Sequence, residues 1–352
     1  MSSRTYEVGV IAGDGIGLET VPSAVTCVTT LAGRHGFDVR WKEYPWGSAY
    51  YRAHGRMMAT DGVDQLSQHH AILLGAVGEP GIPDAETLWG LLIPIRRSFD
   101  QYINLRPVRS VPGVQRRVVG DGEIDLVIVR ENVEGEYSTI GGRVGVGQPH
   151  EFAVQESIFT RSGVSRTAEF AFQLAGERRG HVVSATKSNG IIHTMPFWDD
   201  VVVDVAAAYP DVTLESSLID ALAAKMVSDP SAFDVIVASN LFGDILSDLA
   251  ASVAGSIGLA PSANLNPERK FPSMFEPVHG SAPDIAGLGI ANPVGQMWAA
   301  AMMLDHLGEG EASAELVSAF ERCLAAGTRT KDLGGTATTI EFTEAVTAQL
   351  LL

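Results

Sequence analysis

The sequence predicts an α/β protein in which a largely buried sheet is covered by helices. Short apolar runs of strand length alternate with helix-like stretches along all 352 residues. One run, IDLVIV at 124–129, is almost continuously apolar, which is typical of a strand buried on both faces. The first run is followed directly by the glycine turn GDGIG and a helical pattern, the usual opening of an α/β unit.

Strands are expected where apolar runs are short and bounded by turn residues. In chain order these runs are 6–12, 39–44, 71–75, 124–129, 181–186 and 233–238. Helices are expected after the first turn to about residue 31, and then at 91–99, 166–175, 195–209, 244–254 and 294–307. The glycine-rich segment 141–152 has no core pattern and is expected to form an exposed arm or hairpin.

The chain is strongly acidic, with a formal net charge of −17 at pH 7. Such a surface repels nucleic acid and anionic membranes, so neither is expected as a partner. Binding a polycarboxylate would therefore need positive charge that is concentrated locally. Cys27 and Cys323 lie far apart in the sequence and form no redox or metal motif, and no apolar run has the length of a membrane span. These features favour a cytoplasmic location.

A pair of aspartates in NLFGDILSD, residues 240–248, indicates a site for a divalent cation. Asp244 is predicted to open a helix, and Asp248 follows four residues later, so their Cβ atoms would be roughly 5–6 Å apart on one helix face. A cation held by oxygen ligands would relieve their repulsion. The alternative is stabilisation of the helix dipole, which accounts better for Asp244 than for Asp248. Asp220, on a separate helical stretch, could be a third ligand or an ordinary surface acid.

Three arginines are candidates for the local positive charge. Arg130 ends the apolar run IDLVIV, and the ends of buried parallel strands face the crevice where α/β proteins bind ligands. Arg96 and Arg106 bracket an earlier segment, and guanidinium groups pair well with carboxylates. The alternative for each is a structural ion pair, which we expect for Arg97 and Arg109.

Two further side chains are candidates for proton transfer. Lys187 ends another apolar strand, at its mouth, where a lysine can act as a general base. Tyr137 follows Arg130 by seven residues and could donate a proton. The alternatives are a solvated surface lysine and a packed tyrosine.

Two glycine-rich segments could approach a phosphate. GDGIG lacks the G-x-G-x-x-G spacing of the dinucleotide-binding turn and is a weak signal alone. The segment HGSAPDIAGLGIAN, residues 279–292, offers backbone N–H groups on several small residues. Within it, Asp284 could accept hydrogen bonds from an adenosine ribose and would repel a ribose phosphate, which favours NAD over NADP. The alternative is an ordinary surface loop.

Together these segments resemble the β-decarboxylating dehydrogenases, the family of isocitrate and isopropylmalate dehydrogenases. The matching stretches, spread from residue 9 to about 307, are GDGIG, NLRPVR, VRENVEGEY, the strand-end Lys187, NLFGDILSD and EPVHGSAPDIAGLGIANP. Three others are most similar to the tartrate and D-malate branch, namely HGRMM at 54–58, LWGLLIPIRRSFDQY at 88–102 and NPERKFPSMFEPVHG at 266–280.

The resemblance implies a two-domain fold of the isopropylmalate dehydrogenase type, on a mixed sheet without the Rossmann strand order. A cofactor-binding domain would combine residues 1–101 and 255–352. Residues 102–254 would form a substrate, metal and dimerisation domain with an arm near 141–160. The arm would interlock two subunits into a homodimer with shared active sites.

The resemblance also implies a role for each candidate residue. Arg96, Arg106 and Arg130 would bind the substrate carboxylates, and Leu88 and Trp89 would face its variable group. Asp220, Asp244 and Asp248 would hold Mg²⁺ or Mn²⁺. Lys187 and Asp220 would come from the partner subunit, Lys187 assisting deprotonation of the hydroxyl, and Tyr137 would protonate the enol. The NAD-binding set would be His279, Gly280, Ser281, Ala282, Pro283, Asp284 and Asn292.

The implied reaction is the NAD-dependent and metal-dependent oxidation, with loss of carbon dioxide, of a small malate-like hydroxy dicarboxylate. A bulky Trp89 should favour D-malate or tartrate over isopropylmalate, whose oxidation is the alternative within the family. A requirement for a monovalent cation such as K⁺ stays open. From other classes, a non-catalytic NAD- or metal-binding regulatory protein is the main alternative. A phosphotransferase ranks last, because the sequence has no G-x-x-x-x-G-K-[ST] loop.

Overall fold

The computed structural model describes residues 4–118 and 122–352, and its strands and helices alternate along the chain. The strands are β1 Arg4–Gly13, β2 Phe37–Glu43, β3 Ala71–Ala76, β4 Ile103–Arg109, β5 Asp125–Glu131, β6 Gly141–Val144, β7 Phe152–Gln155, β8 His181–Thr186, β9 Thr213–Leu218, β10 Val235–Ala238, β11 Pro261–Leu265 and β12 Ser273–Pro277. The α-helices are α1 Gly17–His35, α2 Ser48–His54, α3 Gly62–Leu66, α4 Asp84–Thr87, α5 Ile93–Ser98, α6 Arg161–Gly176, α7 Thr194–Ala206, α8 Ile219–Ser228, α9 Asn240–Ala254, α10 Val294–His306, α11 Gly310–Ala325 and α12 Thr339–Leu350.

All six predicted strands are present, but the prediction that a helix opens at Asp244 is wrong. Helix α9 begins at Asn240, so Asp244 lies in its second turn. The backbone N–H of Leu241 donates to the Glu136 carboxylate at 3.0 Å, a contact across 105 positions that satisfies an N-terminal group of the helix. A cap supplied from so far away has no local signature in the sequence.

The described chain forms two compact units, and the first contains residues 4–101, 109–117 and 251–352. Its strands follow the order β2-β1-β3-β12-β11. The pairs β2-β1, β1-β3 and β3-β12 are parallel, whereas β11 and β12 are antiparallel. The predicted mixed sheet is therefore confirmed. Helix α10 is buried along most of its length and packs against α1 and α11.

The second unit contains residues 102–108 and, apart from 119–121, residues 118–250. Its strands follow the order β4-β5-β10-β8-β9, and the pairs β5-β10, β10-β8 and β8-β9 are parallel. The carboxyl ends of β5, β10 and β8 therefore lie at one edge, and this edge carries Arg130, Asn240 and Lys187. The functions assigned to the two domains stay predictions.

Strands β6 and β7 form a separate antiparallel hairpin where the arm is expected. Its apolar side chains are exposed, among them Val144, Phe152 and Val154. The interlocking role of this hairpin stays a prediction.

Two further features bear on the expectations from composition. Cys27 and Cys323 are buried free thiols. Within residues 4–118 and 122–352, no helix combines the length and apolar character needed to cross a membrane.

Candidate active site

Arg130, at the end of β5, lies against the first turns of α9. Its Nε and Nη2 both donate to Asn240 Oδ1, at 3.1 and 2.7 Å, and its Nη1 pairs with Asp244. The side chain is only 4% exposed. The ion pair that the structure gives this arginine is with Asp244. Arg130 therefore binds the helix that carries the aspartate pair.

Arg106, on β4, reaches the same helix. Its Nη1 lies 3.2 Å from Asp244 and 3.7 Å from Asp248, and donates to Ser247 at 2.6 Å. Asn104 accepts from its Nε at 2.6 Å. Two of the three predicted arginines therefore meet the aspartate pair within one unit. They place positive charge at one location, which an acidic chain would need in order to bind a polycarboxylate.

Gly243 was not predicted as a site residue, yet the packing of Arg130 depends on it. A Cβ at this position would lie 2.6 Å from the Cβ and Cγ atoms of Arg130. Only glycine lets the arginine cross the helix so closely. The segment NLFGDILSD carries this glycine, but its purpose is visible only once β5 and α9 are packed together.

Asp244 and Asp248 share one face of α9, as the spacing predicts. Partial burial raises the pKa of the Asp248 carboxyl, and the Asp244 carboxylate adds to this effect while Arg106 opposes it. Carboxylate oxygens are the ligands that Mg²⁺ and Mn²⁺ prefer, so the pair fits a divalent cation. Within the described part of this chain, no group of three Asp, Glu, His or Cys side chains converges on a metal site. A single chain therefore offers two of the three predicted ligands together.

Tyr137 joins this cluster from the segment after β5. Its hydroxyl donates to Asp244 Oδ2 at 3.0 Å, and its ring lies 5.7 Å from the Arg130 guanidinium. The alternative of a purely packed tyrosine does not describe these contacts. The hydroxyl therefore lies beside a predicted metal ligand, a location that is compatible with the predicted role of Tyr137 as a proton donor.

Lys187 and Asp220 form a second, separate group in the same unit. Lys187 Nζ donates to Asp220 Oδ1 at 2.7 Å. This hydrogen bond lowers the pKa of the Asp220 carboxyl. The side chain of Asp220 is 67% exposed. The two residues that the family resemblance assigns to the partner subunit thus contact each other.

Arg96 lies in the other unit, on α5. It is buried and donates to Glu276 at 2.6 Å, and Asn264 donates to the same carboxylate oxygen at 2.8 Å. Its Nε is buried without a hydrogen-bond partner among the described residues. Glu276 was not predicted, since it lies 180 positions away from Arg96 in the sequence. Arg109, for which an ordinary ion pair was expected, pairs with Glu321 at 2.5 Å.

Leu88 and Trp89 begin a π-helical turn, Leu88–Leu92, that leads into α5. Such turns are frequent at functional sites. Both side chains are half-buried, and the Trp89 ring lies 5.1 Å from the Arg97 guanidinium. This contact holds the indole in place, and the role of Trp89 in specificity stays a prediction.

The loop predicted to bind NAD packs against the GDGIG turn. The N–H of Ile16 donates to Ser281 O at 2.9 Å, and a Cβ on Gly15 would lie 2.0 Å from the same oxygen. Gly15 has φ +54°, and Ala282 has φ 41°, so both turns use left-handed backbone. GDGIG thus contacts the loop predicted to bind NAD, although it lacks the G-x-G-x-x-G spacing.

The predicted NAD-binding residues differ in their surroundings. Asp284 is exposed and has no partner among the described residues. Asn292 is buried and donates to Asp332 at 3.0 Å. Burial lowers the pKa of His279, whose Nε2 has no hydrogen-bond partner among the described residues. Gly280 is exposed, and Ser281 is buried against the GDGIG turn.

A cavity of about 790 Å³ opens beside these loops, lined among others by Asp14, Trp46, Gly78 and Pro283. Asp14 is buried and accepts from the N–H and hydroxyl of Ser48, both at 2.7 Å, and from the N–H of Gly78 at 2.8 Å. The aspartate therefore joins three loops around one cavity. Of these lining residues, only Pro283 was predicted as a site residue; Asp14 belongs to the GDGIG turn, whose spacing is a weak signal alone.

Comparison with known proteins agrees with this geometry. The model of the isocitrate/isopropylmalate dehydrogenase family matches residues 7–346. A probable tartrate dehydrogenase/decarboxylase of Bacillus subtilis is 50% identical over 99% of both chains. The decarboxylating D-malate dehydrogenase of Escherichia coli is 51% identical over 97% of this chain and 98% of its own.

The fold is shared with solved structures as well. The crystal structure of isocitrate dehydrogenase from Methylococcus capsulatus superposes with a TM-score of 0.90 at 32% identity, covering 99% of this chain and all of the other. The predicted isopropylmalate dehydrogenase-like fold is confirmed. This chain therefore belongs to the isocitrate/isopropylmalate dehydrogenase family and is a dehydrogenase.

Proposed function

We propose that the chain catalyses the NAD-dependent and divalent-metal-dependent oxidative decarboxylation of D-malate or tartrate. The observation that carries this proposal is the contact of Arg106, Arg130 and Tyr137 with the Asp244 carboxylate. Cationic donors for an anionic substrate thereby contact the face of α9 that carries the oxygen ligands for a metal. The names of the relatives at about 50% identity support the same substrates.

The roles of the binding groups follow from their chemistry. Arg106 and Arg130, with Arg96, bind the substrate carboxylates through charge-assisted hydrogen bonds. Asp244 and Asp248, with Asp220 of the partner subunit, hold Mg²⁺ or Mn²⁺. When bound, the cation lowers the pKa of the substrate hydroxyl and polarises the carbonyl that oxidation produces. NAD, on the loop that includes His279 to Asn292, supplies the hydride acceptor.

The proton transfers fall to two side chains. The partner's Lys187, held by its hydrogen bond to Asp220, assists removal of the hydroxyl proton as the hydride leaves C2. Tyr137 delivers a proton to C3 after carbon dioxide has left. The exposed location of Asp284, without a partner among the described residues, supports its role on the adenosine ribose and hence NAD over NADP.

A homodimer is part of this proposal. The hairpin of β6 and β7 exposes apolar side chains, which a second copy of the chain would cover. Each active site would then take Lys187 and Asp220 from the other subunit. Size measurement of the active species tests this point, and a fully active monomer would refute it.

The decisive measurement is turnover of a substrate panel. With Mn²⁺ and NAD, we expect D-malate or tartrate to give a higher kcat/KM than isopropylmalate or isocitrate, and NADP to be a poorer cofactor. A chelator should abolish NADH formation. A preference for isopropylmalate would reject the substrate assignment, and NAD binding without turnover of any substrate would favour a regulatory protein.

A variant sharpens the substrate assignment. Trp89→Ala should widen the pocket and raise the kcat/KM for isopropylmalate relative to D-malate, by about tenfold for a change worth one or two methylene contacts. Trp41→Ala, at a partly exposed position on β2, is the matched control. An unchanged ratio in Trp89→Ala would show that Trp89 does not face the substrate.

A further inference from the structure

A second cavity, of about 320 Å³, lies in the unit that contains both ends of the chain. Three histidines, one arginine and one lysine are among its lining residues, together with Tyr6. These basic residues are His69, His70, Arg269, Lys270 and His306. None of the ten described lining residues is acidic, in a chain of net charge −17. The cavity is therefore a local concentration of positive charge that the dehydrogenase reaction does not use.

Among the residues that the structure describes, the two full positive charges of the cavity have no counter-ion. Neither Arg269 nor Lys270 forms an ion pair or a side-chain hydrogen bond with any residue in the described ranges. The Glu309 carboxylate, which contacts the lining residue Tyr6, is already engaged, because it accepts from Tyr6 at 2.6 Å and pairs with Arg4 at 3.1 Å. The positive charge of Arg269 and Lys270 is therefore available to a bound anion.

The histidines add neutral donors. His70 accepts the N–H of Glu7 at Nδ1, at 3.0 Å, so the proton of its neutral ring is on Nε2. His69 is bonded through Nε2 to Tyr44 at 2.8 Å, and its buried Nδ1 has no partner among the described residues. Burial and, to a smaller extent, the positive charge of Arg269 together lower the pKa of His306 to about 4. Arg269 and the imidazole of His306 therefore lie close to each other in the wall of the cavity.

Arg269 also has an unusual backbone. Its φ is 54°, a left-handed conformation that an arginine rarely adopts and that glycine adopts freely. The turn is held by Asn266, whose carbonyl accepts the N–H of Arg269 at 2.9 Å and whose side chain accepts that of Lys270 at 2.8 Å. A cationic side chain is thus kept where backbone preference favours glycine, which is common at ligand sites.

This cavity is separate from the cavity beside the loop predicted to bind NAD. Tyr6, His70 and Pro272 lie near the amino ends of β1, β3 and β12, which are parallel neighbours. The GDGIG turn follows the carboxyl end of β1. The two cavities are therefore at opposite edges of the sheet, about 20 Å apart by the length of β3.

We propose that this cavity binds a small oxyanion with two negative charges, of the phosphate or dicarboxylate class. Arg269 and Lys270 supply the charge, and the imidazoles of His69 and His70 supply directed donors. The volume admits a phosphate or a four-carbon diacid and is small for a nucleotide. The site is separate from the groups assigned to the dehydrogenase reaction, so it does not depend on the proposed substrate.

The test is calorimetric titration of the full-length protein with inorganic phosphate and, in a second arm, with succinate. We expect one or both to bind once per chain and to raise the Tm. Arg269→Gly should weaken binding about tenfold, the equivalent of one charge-assisted hydrogen bond, and Lys270→Gln should act similarly. Because glycine suits φ 54°, Arg269→Gly should fold at least as stably as the parent.

Two control variants make the outcome decisive. Arg56→Gln removes an exposed arginine of the same unit that forms no ion pair with the described residues, and it should leave affinity unchanged. Arg130→Gln removes a proposed substrate-binding group. Heat that persists in Arg269→Gly but disappears in Arg130→Gln would place the anion at the substrate site and overturn the proposal. So would equal weakening by Arg56→Gln, or no binding of either anion.

Discussion

In the unit formed by residues 102–108 and 122–250, the candidate site consists of charged side chains that contact one another. In the unit that contains both ends of the chain, it consists mainly of glycine-rich loops whose backbone makes the contacts. Arg130 and Asp244 exemplify the first kind, and Gly15 against Ser281 O exemplifies the second. The difference predicts opposite responses to substitution. Removing a charge should abolish chemistry while the fold survives, whereas adding a methyl group should damage the fold and cofactor binding together.

The largest effect is expected at the aspartate pair. Asp244→Asn removes a proposed metal ligand and the acceptor of Tyr137, and should lower kcat by at least about a hundredfold. The free energy of unfolding should change far less, since the Asp244 side chain is 35% exposed. Steady-state kinetics with Mn²⁺, compared with urea unfolding, separates the two effects. Asp211→Asn, at an exposed position of the same unit, is the matched control, and a parental kcat in Asp244→Asn would contradict the metal assignment.

Next comes the glycine turn. Gly15→Ala should destabilise the protein by about 2–4 kcal/mol and weaken NAD binding, since its Cβ would lie 2.0 Å from Ser281 O at φ +54°. Gly33→Ala is the matched control in α1, where a Cβ meets nothing within 4 Å. It should stabilise the helix by about 0.5–1 kcal/mol. Urea unfolding and NAD titration check both variants, and a stable, NAD-binding Gly15→Ala protein would mean that the close approach is unimportant.

The third comparison concerns pH and takes one buried titratable group from each unit. Burial lowers the pKa of His306 to about 4 and raises that of Glu131 to about 7. The stability that neutral His306 contributes is present above its unfolded pKa of about 6.5 and is lost as pH falls towards about 4, at most about 3 kcal/mol. The stability that protonated Glu131 contributes is present below its unfolded pKa of about 4.5. It is lost as the pH rises through about 7.

Between about pH 4 and pH 7, the free energy of unfolding should therefore depend on pH in opposite directions for the two groups. His306 should stabilise the protein as the pH rises, and Glu131 as the pH falls. His306→Gln should flatten the loss on acidification, and Glu131→Gln the loss near neutral pH. The exposed residues His150 and Glu169 provide matched glutamine controls. Parallel pH profiles for His306→Gln and the parent would show that burial of this imidazole does not affect stability.

Much of the fold could be predicted because its signals are local. The run IDLVIV is buried in β5, and the strand expected at 181–186 has these same bounds. Strands β9 and β11 were not expected. β9, TLESSL, carries no continuous apolar run, and β11, PSANL, has few apolar residues. Their place is determined by neighbouring strands, which a single segment does not encode.

The candidate site likewise contains residues that could be predicted from the sequence and residues that could not. Arg106, Arg130, Tyr137, Asp244 and Asp248 were predicted and lie together in one unit. Glu276 beside Arg96, Asp14 among three loops, and Gly243 beneath Arg130 were not predicted as site residues. Each acts through a partner far away in the sequence, and no spacing rule connects them.

The sequence by itself determined the α/β class, the family and the residue types of the chemistry. Periodicity, glycine turns and the spacing of charged residues are properties of short segments, and each stays with its segment whatever the packing. Only the tertiary structure decided which groups contact each other. Parallel strands that are far apart in the sequence have their carboxyl ends at one edge of the sheet, and this brings their side chains together. It placed Glu136 at the start of α9 and Ser281 against Gly15, and it gathered five basic residues around a cavity at the far edge of the sheet.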